Sequence, residues 1–120
     1  MSMVADDFKL QTETCDGGVV LLRVGGYLDA HTYERLDQHI LKLFSENHHR
    51  IVVDLSEVGY ISSAGAGVFI AALNEAQEHK GTVVLLNPGS NVREVLDMLG
   101  FNQIFTIATD RNTALKAAAG

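Results

Sequence analysis

Apolar residues along the chain follow two patterns, short continuous runs and longer stretches with helical spacing. The short runs are rich in Val, Leu and Ile, which is typical of strands. The first two flank Asp16-Gly17-Gly18, a turn signal that favours a hairpin. The longer stretches place apolar residues three or four positions apart, as at Leu36, Ile40, Leu43 and Phe44. We predict strands beginning at residue 8 and covering 19–24, 50–55, 82–87 and 103–108, with helices within 29–50, from about 64 to 79, from about 90 to 99 and over 110–120.

Capping residues and glycines predict where these elements begin and end. Gly25-Gly26 is expected to end the second strand. Thr32 or Asp29 is the predicted N-cap of the first helix, and Asp110 that of the last helix. Gly81 and Gly100 are expected to end the second and third helices, because glycine is common just after the last turn of a helix.

The resulting order ββαβαβαβα predicts an α/β fold with one mixed, mostly parallel sheet. We expect about four to five strands and about four helices, with the leading hairpin as the antiparallel part. Functional residues of such sheets tend to lie beyond the carboxyl ends of the strands. That rule selects three candidate loops, residues 26–32, 58–66 and 87–91.

Length and composition change this picture little but exclude several classes of function. The 120 residues are predicted to form one domain over 1–120, with an ordered core at about 8–117. A net charge of −6 argues against direct nucleic-acid binding and against an anionic membrane surface. Cys15 is the only cysteine, residues 1–10 do not resemble a signal peptide, and no apolar run approaches membrane-span length, so a cytoplasmic protein without membrane insertion is predicted.

The most informative stretch is Ser62 to Gly67, where a strand is predicted to run directly into a helix. A serine there has a simple structural explanation as an N-cap, but that explains only one of the two serines. Gly65 and Gly67 weaken a helix by about 1 kcal/mol each relative to Ala. Their presence suggests that something approaches this backbone closely.

Enzymatic interpretations of this stretch fit poorly. Its spacing matches neither the dinucleotide-binding pattern G-x-G-x-x-G, nor a P-loop, nor the hydrolase pattern G-x-S-x-G. Asp29, His31 and Ser63 could be combined into a nucleophilic triad, an alternative that only geometry could support. His48 and His49 are expected to be solvated, and no group of Cys, His and acidic residues has the spacing of metal ligands.

If the serine is instead a substrate of another enzyme, this chain needs no catalytic residues and has only to expose the hydroxyl. A hydroxyl at an exposed strand–helix junction is accessible to the active site of another protein. A phosphate there would add about −1.5 to −2 charges, which backbone N–H groups and the helix dipole can accommodate. The junction is therefore also consistent with a phosphorylation site that controls binding.

Three segments together resemble the STAS domains, in particular the bacterial anti-sigma-factor antagonists. They are VVDLSEVGYISSAGAGVFI at 52–70, GYLDAHTYERL at 26–36 and LLNPGSNVREVLDMLGFNQIF at 85–105. The resemblance covers nearly the whole chain in the same order. It implies a STAS fold and a binding protein, not an enzyme, that needs no cofactor of its own.

The resemblance also implies a switch and its partners. In the family, an anti-sigma factor that is itself a serine kinase of the histidine-kinase-like ATPase type phosphorylates a serine at this junction, and a PP2C-type phosphatase removes the phosphate. Only the unphosphorylated antagonist captures the anti-sigma factor. The acceptor maps to Ser63, with Ser62 as the alternative. The implied partner-binding residues are Asp29, His31, Thr32, Ile61, Ser62, Ser63, Gly65, Ala66 and Asn87.

Three positions depart from the family pattern, and one other class of function remains open. Ser62 stands where an Asp is usual, Ala64 where a second hydroxyl is usual, and Tyr27 where a Glu is usual. These departures bear on the choice of partner. The alternative function is a non-switching STAS scaffold or adaptor in a sensory assembly or transporter complex, and Ser63 counts against it.

Overall fold

A computed structural model describes residues 8–119, and its elements follow the predicted order. The expectation about a signal peptide concerns residues that lie largely outside this range. The elements are β1 (Lys9–Thr14), β2 (Val20–Leu28), α1 (Tyr33–Ser45), β3 (Arg50–Ile61), α2 (Ser63–Glu78), β4 (Thr82–Leu86), α3 (Ser90–Met98), β5 (Ile107–Ala108) and α4 (Arg111–Ala119), with short 3-10 turns at Asp16–Gly18 and Phe101–Gln103.

The sheet has five strands in the order β1-β2-β3-β4-β5. Strand β1 pairs with β2 in the antiparallel sense across the predicted hairpin, and the other three pairings are parallel. The predicted mixed, mostly parallel sheet is thereby confirmed. Because β2, β3 and β4 are parallel, their carboxyl ends lie at the same end of the sheet. We call this end the switch edge and define it by the last residues of these strands, Leu28, Ile61 and Leu86.

Two of the strands are longer than predicted. Strand β2 does not end at Gly25-Gly26 but continues to Leu28, and β3 continues past residue 55 to Ile61. The two extensions pair with each other, with Gly26 opposite Val58 and Leu28 opposite Ile61. Residues 26–28 and 58–61 were predicted to be loop and are strand, because cross-strand pairing with two register shifts overrides the local glycine signal.

Helices cover both faces of the sheet, but unequally. The larger core joins the sheet to α1, α2 and α3 through residues such as Leu22, Leu36, Phe69 and Leu96. A smaller cluster places α4 on the opposite face, through Ala114 and Ala118. Within residues 8–119 no side chain that is fully buried is polar or charged, which fits a core held together by apolar packing.

The end of α3 and the last strand differ from the sequence-based expectation. The third helix was predicted to reach about residue 99, but α3 ends at Met98, and Leu99 is 42% exposed. Only Ile107–Ala108 of the predicted strand 103–108 is extended. The preceding residues form a turn in which the Phe101 and Phe105 rings stack and enter the core.

The sheet edge opposite the switch edge brings three aromatic rings together. The His49 ring is stacked between Phe44 and His79, with ring centroids 5.2 and 4.1 Å away. His49 is therefore half-buried and not in a solvated turn as predicted. Arg50, next in the chain, donates to the carbonyl oxygens of Lys80 and Ala118 near the ends of α2 and α4, where a cation is favoured by the helix dipoles.

No helix of the described residues is long and apolar enough to cross a membrane.

Candidate functional site: the junction of β3 and α2

The junction between β3 and α2 is tied directly to the end of β2. The Ser62 amide donates to the carbonyl oxygen of Leu28 at 2.9 Å, which continues the pairing of Leu28 with Ile61. Helix α2 begins at the next residue, Ser63. The start of the helix is therefore held at a fixed position on the switch edge.

Ser62 is the N-cap of α2. Its backbone is extended, and its hydroxyl oxygen accepts a hydrogen bond from the Gly65 amide at 3.1 Å. Its carbonyl oxygen accepts the first helical hydrogen bond, from Ala66 at 2.9 Å. The predicted cap is thus assigned to one particular serine, and its hydroxyl is already engaged within the domain.

Ser63 is placed differently, although it is the adjacent residue. Its side chain is exposed, and its hydroxyl makes no hydrogen bond to any of residues 8–119. Ala64 beside it and Gly67 one turn later are exposed as well. A hydroxyl on a fixed backbone, free of other contacts and surrounded by small side chains, is accessible to the active site of another protein.

The two glycines of the first helical turns have different explanations. A Cβ at Gly65 would lie 2.5 Å from the Leu28 carbonyl oxygen, so this residue must be glycine for α2 to pack against β2. What approaches Gly65 closely is therefore the chain itself. A Cβ at Gly67 would meet nothing within 4 Å, so packing inside the domain does not explain this second glycine.

The loop after β2 is held by hydrogen bonds of its own side chains. The Thr32 hydroxyl donates to the Tyr27 carbonyl oxygen at 2.7 Å and accepts from the Asp29 amide at 3.0 Å. Thr32 occupies the predicted N-cap position of α1, but its side chain does not cap the helix. These bonds fix the loop at the switch edge, beside the end of β2.

The Asp29–His31–Ser63 triad does not form. The Asp29 carboxylate accepts a hydrogen bond from the His31 backbone amide at 2.8 Å, not from its ring. No hydrogen bond among residues 8–119 links the His31 ring to Asp29 or to Ser63. Within the same residues no three His, Cys, Asp or Glu side chains are grouped so as to hold a metal ion.

The predicted contact residues fall into an exposed set and a buried set. His31, Ser63 and Asn87 are exposed, and Asp29, Thr32 and Ser62 are half-buried. Asn87 follows β4 and donates its amide to Ala108 at 2.7 Å, which brings the third loop to the same edge. Ile61, Gly65 and Ala66 are buried, so they support the surface from below and offer little of it to a partner.

Two exposed tyrosines at this edge were missing from the predicted contact residues. Tyr27 and Tyr60 lie opposite each other on β2 and β3, with ring centroids 5.9 Å apart. In the sequence, Tyr27 stands out only as a departure from the family pattern. The sequence does show a tyrosine near the end of each of these two strands, but both segments were predicted to be loops.

The chain is similar to proteins of one family. The family model described as the STAS domain matches residues 11–114. Among curated proteins, the chain is 30% identical over 109 residues to BtrV of Bordetella bronchiseptica, which is named as a candidate anti-sigma factor antagonist; the match covers 91% of this chain and 93% of that protein.

Two solved structures share the fold. An anti-sigma factor antagonist from Mycobacterium paratuberculosis superposes with a TM-score of 0.87 at 23% identity, covering 98% of each chain. The phosphorylated form of SpoIIAA, a cell fate determinant of Bacillus, superposes with a TM-score of 0.71 at 22% identity, covering 91% of this chain and 98% of that one. At these identities the similarity concerns the fold.

Proposed function

This chain belongs to the STAS domain family, and from that premise we propose that it is an anti-sigma-factor antagonist switched by phosphorylation of Ser63. In its unphosphorylated form it captures an anti-sigma factor, so that the sigma factor is released. Phosphorylation of Ser63 ends the capture. The function is that of a cytoplasmic binding protein and involves no catalysis by this chain.

The observation that carries the proposal is the contrast between Ser62 and Ser63. The Ser62 hydroxyl caps α2, whereas the Ser63 hydroxyl is exposed and makes no hydrogen bond within residues 8–119. Modification of Ser62 would remove a cap, but modification of Ser63 leaves every hydrogen bond of the junction in place. SpoIIAA, which shares the fold, is known in a phosphorylated form, and this supports phosphorylation as the kind of switch.

The proposed partner is a serine kinase of the histidine-kinase-like ATPase type that is itself the anti-sigma factor. The Ser63 oxygen attacks the γ-phosphorus of ATP, the bond from that phosphorus to the bridging oxygen breaks, ADP leaves, and a base of the kinase takes the hydroxyl proton. ATP and magnesium belong to the kinase. A PP2C-type phosphatase hydrolyses the phosphoserine and restores the capturing form.

The phosphate acts on the interface and not on the fold of the domain. It sits at the first residue of α2, where the positive end of the helix dipole favours negative charge. At an interface, however, a group carrying about −1.5 to −2 charges must lose its water or meet a matching cation. Without such a cation the cost reaches several kcal/mol, which is enough to abolish a micromolar complex.

The contact surface we propose surrounds Ser63 on the switch edge. Its exposed and half-buried members are Asp29, His31, Thr32, Ser62, Ser63 and Asn87, and its buried supports are Ile61, Gly65 and Ala66. Three different loops contribute to it, and each is fixed by hydrogen bonds. A fixed surface lets a partner bind without an ordering cost on this side.

The test is peptide mass spectrometry on the protein isolated from its own cells, in growth, stress and stationary phase. The proposal expects partial phosphorylation of Ser63 and none of Ser62. The kinase is then identified by its ability to phosphorylate the purified wild type but not Ser63→Ala, with Ser62→Ala as the matched control that is still phosphorylated. An unmodified Ser63 under every condition would favour the non-switching scaffold instead.

A further inference from the structure

Tyr27 and Tyr60, which we call the tyrosine pair, are large aromatic side chains that are exposed at the switch edge. Tyr27 is 63% exposed and Tyr60 is 48% exposed. Their rings pack edge to face at 62°, the arrangement that aromatic rings prefer. Exposed tyrosines are over-represented among the residues that dominate protein interfaces.

Strand pairing sets the two tyrosines opposite each other. Tyr27 and Tyr60 are direct partners across β2 and β3, just after a register shift that follows Gly26. Gly59 has no side chain, and the nearest atom of the Tyr27 ring lies 3.3 Å from where its Cβ would be. A Cβ at 59 would require the Tyr27 ring to shift by a few tenths of an ångström.

The tyrosine pair and Ser63 lie at the same end of β3. Tyr60 precedes Ser63 by three residues, and Leu28, which follows Tyr27, accepts the hydrogen bond from Ser62 at 2.9 Å. Three residues of extended chain span roughly 10 Å. A standard interface covers about 800 Å² of each partner, which is a patch more than twice as wide as this separation. One partner seated on Ser63 can therefore also cover the tyrosine pair.

The immediate surroundings of Ser63 offer little contact area by themselves. Ala64 and Gly67, the exposed residues nearest to it on α2, have small side chains or none. Most of the binding free energy of an interface comes from a few large, well-packed side chains. At the switch edge, the tyrosine pair supplies such side chains.

The charges around the pair select the kind of group that it accepts. The shallow pocket beside Tyr27 is lined by Lys9 and Glu57, whose charges are of opposite sign, so neither charge predominates there. A cationic partner residue placed here would be attracted by a phosphate on Ser63, which would strengthen the complex where release is required. An apolar partner residue instead leaves the phosphate without a matching charge.

We infer that the tyrosine pair is the anchor of the anti-sigma kinase on this domain and receives an apolar side chain of that kinase, of the Leu, Met or Phe type. The inference rests on the proposed function and states the chemistry of its contact. Phosphorylation of Ser63 then places a strongly hydrated group at the border of an apolar contact, and the complex dissociates.

The experiment measures the Kd between the unphosphorylated domain and the purified kinase that phosphorylates Ser63, with Mg-ADP present so that no phosphate is transferred. Tyr27→Ala and Tyr60→Ala are each expected to weaken binding by about tenfold or more. Tyr60→Phe keeps the ring and binds more tightly than Tyr60→Ala. Met98→Ala is the matched control, because Met98 is 82% exposed and lies at the far end of α3, and its Kd stays within about twofold of wild type.

The outcomes separate this inference from the proposed function. Equal binding by the wild type and both alanine variants overturns the inference and leaves the switch intact. A kinase that binds Tyr27→Ala weakly but gains affinity when Tyr27 is replaced by Glu overturns it too, because the partner group would then be cationic. If no kinase modifies Ser63, the proposed function fails and the inference fails with it.

Discussion

The Ser62 hydroxyl accepts a hydrogen bond from the Gly65 amide at 3.1 Å, and this bond gives two adjacent serines different roles. Ser62 stabilises the start of α2. Ser63, one residue later, has an exposed hydroxyl that packing and hydrogen bonding within residues 8–119 do not use. Because the two residues differ in role but not in chemistry, substituting each in turn separates stability from binding.

Ser62→Ala is expected to lower the free energy of unfolding by about 1 kcal/mol, because it removes the side-chain cap of α2. Ser63→Ala removes no hydrogen bond within the domain and is expected to change stability by at most about 0.5 kcal/mol. Urea unfolding followed by circular dichroism measures both values. If Ser63→Ala were the more destabilising of the two, the assignment of the cap would be wrong.

Ser63→Ala is expected to bind the kinase persistently even with ATP present, because it cannot be phosphorylated. Ser63→Glu, and similarly Ser63→Asp, places a negative charge at the same position and is expected to bind at least about tenfold more weakly. Titration calorimetry with the purified kinase gives both affinities, and Met98→Ala, at the far end of α3, serves as the control. Equal affinity of Ser63→Ala and Ser63→Glu would argue against a charge-based switch.

Gly65→Ala is expected to cost about 2 kcal/mol or more, since its Cβ would lie 2.5 Å from the Leu28 carbonyl oxygen and 2.8 Å from the Leu28 side chain. Gly67→Ala is the matched substitution two residues away, where a Cβ meets nothing within 4 Å. It is expected to stabilise the domain by up to about 1 kcal/mol through helix propensity. Similar effects of the two changes on urea unfolding would contradict the packing described here.

The domain phosphorylated on Ser63 is expected to be at least as stable as the unmodified domain. The added charge lies at the first residue of α2, where the helix dipole contributes about 0.3–1 kcal/mol of stabilisation. Thermal unfolding of the two forms, separated by ion exchange, measures the difference. A marked loss of stability on phosphorylation would mean that the partner is released by unfolding of the junction.

The stacked position of His49 predicts a loss of stability on acidification. Burial, and after it the neighbouring His79, lower the pKa of His49, while Glu75 acts in the opposite direction. The unfolded chain therefore binds this proton at higher pH than the folded one. The free energy of unfolding is expected to fall as the pH drops from about 6.5 towards the lower pKa of the folded state. Burial and Lys42 lower the pKa of His39, which adds an effect of the same sign.

His49→Phe keeps a ring in the stack but cannot be protonated, so its stability is expected to depend less on pH. Urea unfolding of the wild type and His49→Phe at pH 7.5 and pH 5.5 provides the comparison. The substitution His31→Gln, on the exposed loop after β2, is the matched removal of another histidine. The same dependence on pH in the wild type and His49→Phe would mean that the stack does not control this titration.

Much of the fold could be predicted from the sequence, because capping residues, turn residues and apolar spacing act on a few neighbouring residues. Helix α4 begins after Asp110, whose carboxylate accepts the predicted capping hydrogen bond from Thr113 at 2.9 Å. The hairpin at Asp16–Gly18 and the order of strands and helices were predicted for the same reason. Such features depend on a few consecutive residues whose preferences agree with the fold.

The differences occur where distant residues decide the structure. Gly25-Gly26 has the composition of a strand end, yet pairing with β3 continues β2 to Leu28. The requirement for glycine at 65 depends on Leu28, far away in sequence. The family resemblance indicated Ser63 as the residue that is phosphorylated. Which of the two serines caps α2 could not be predicted, because it depends on the hydrogen bond from the Gly65 amide and on the backbone angles of Ser62. Tyr60 was missed because its strand was predicted to be a loop.

The split between buried supports and exposed contacts at the switch edge has an evolutionary consequence. Ile61, Gly65 and Ala66 hold the junction in shape from inside, while Ser63, His31, Asn87 and the tyrosine pair face outwards. The outer residues can be exchanged without rebuilding the scaffold beneath them. Substitutions confined to the surface can thus change which partner is bound while the junction keeps its shape.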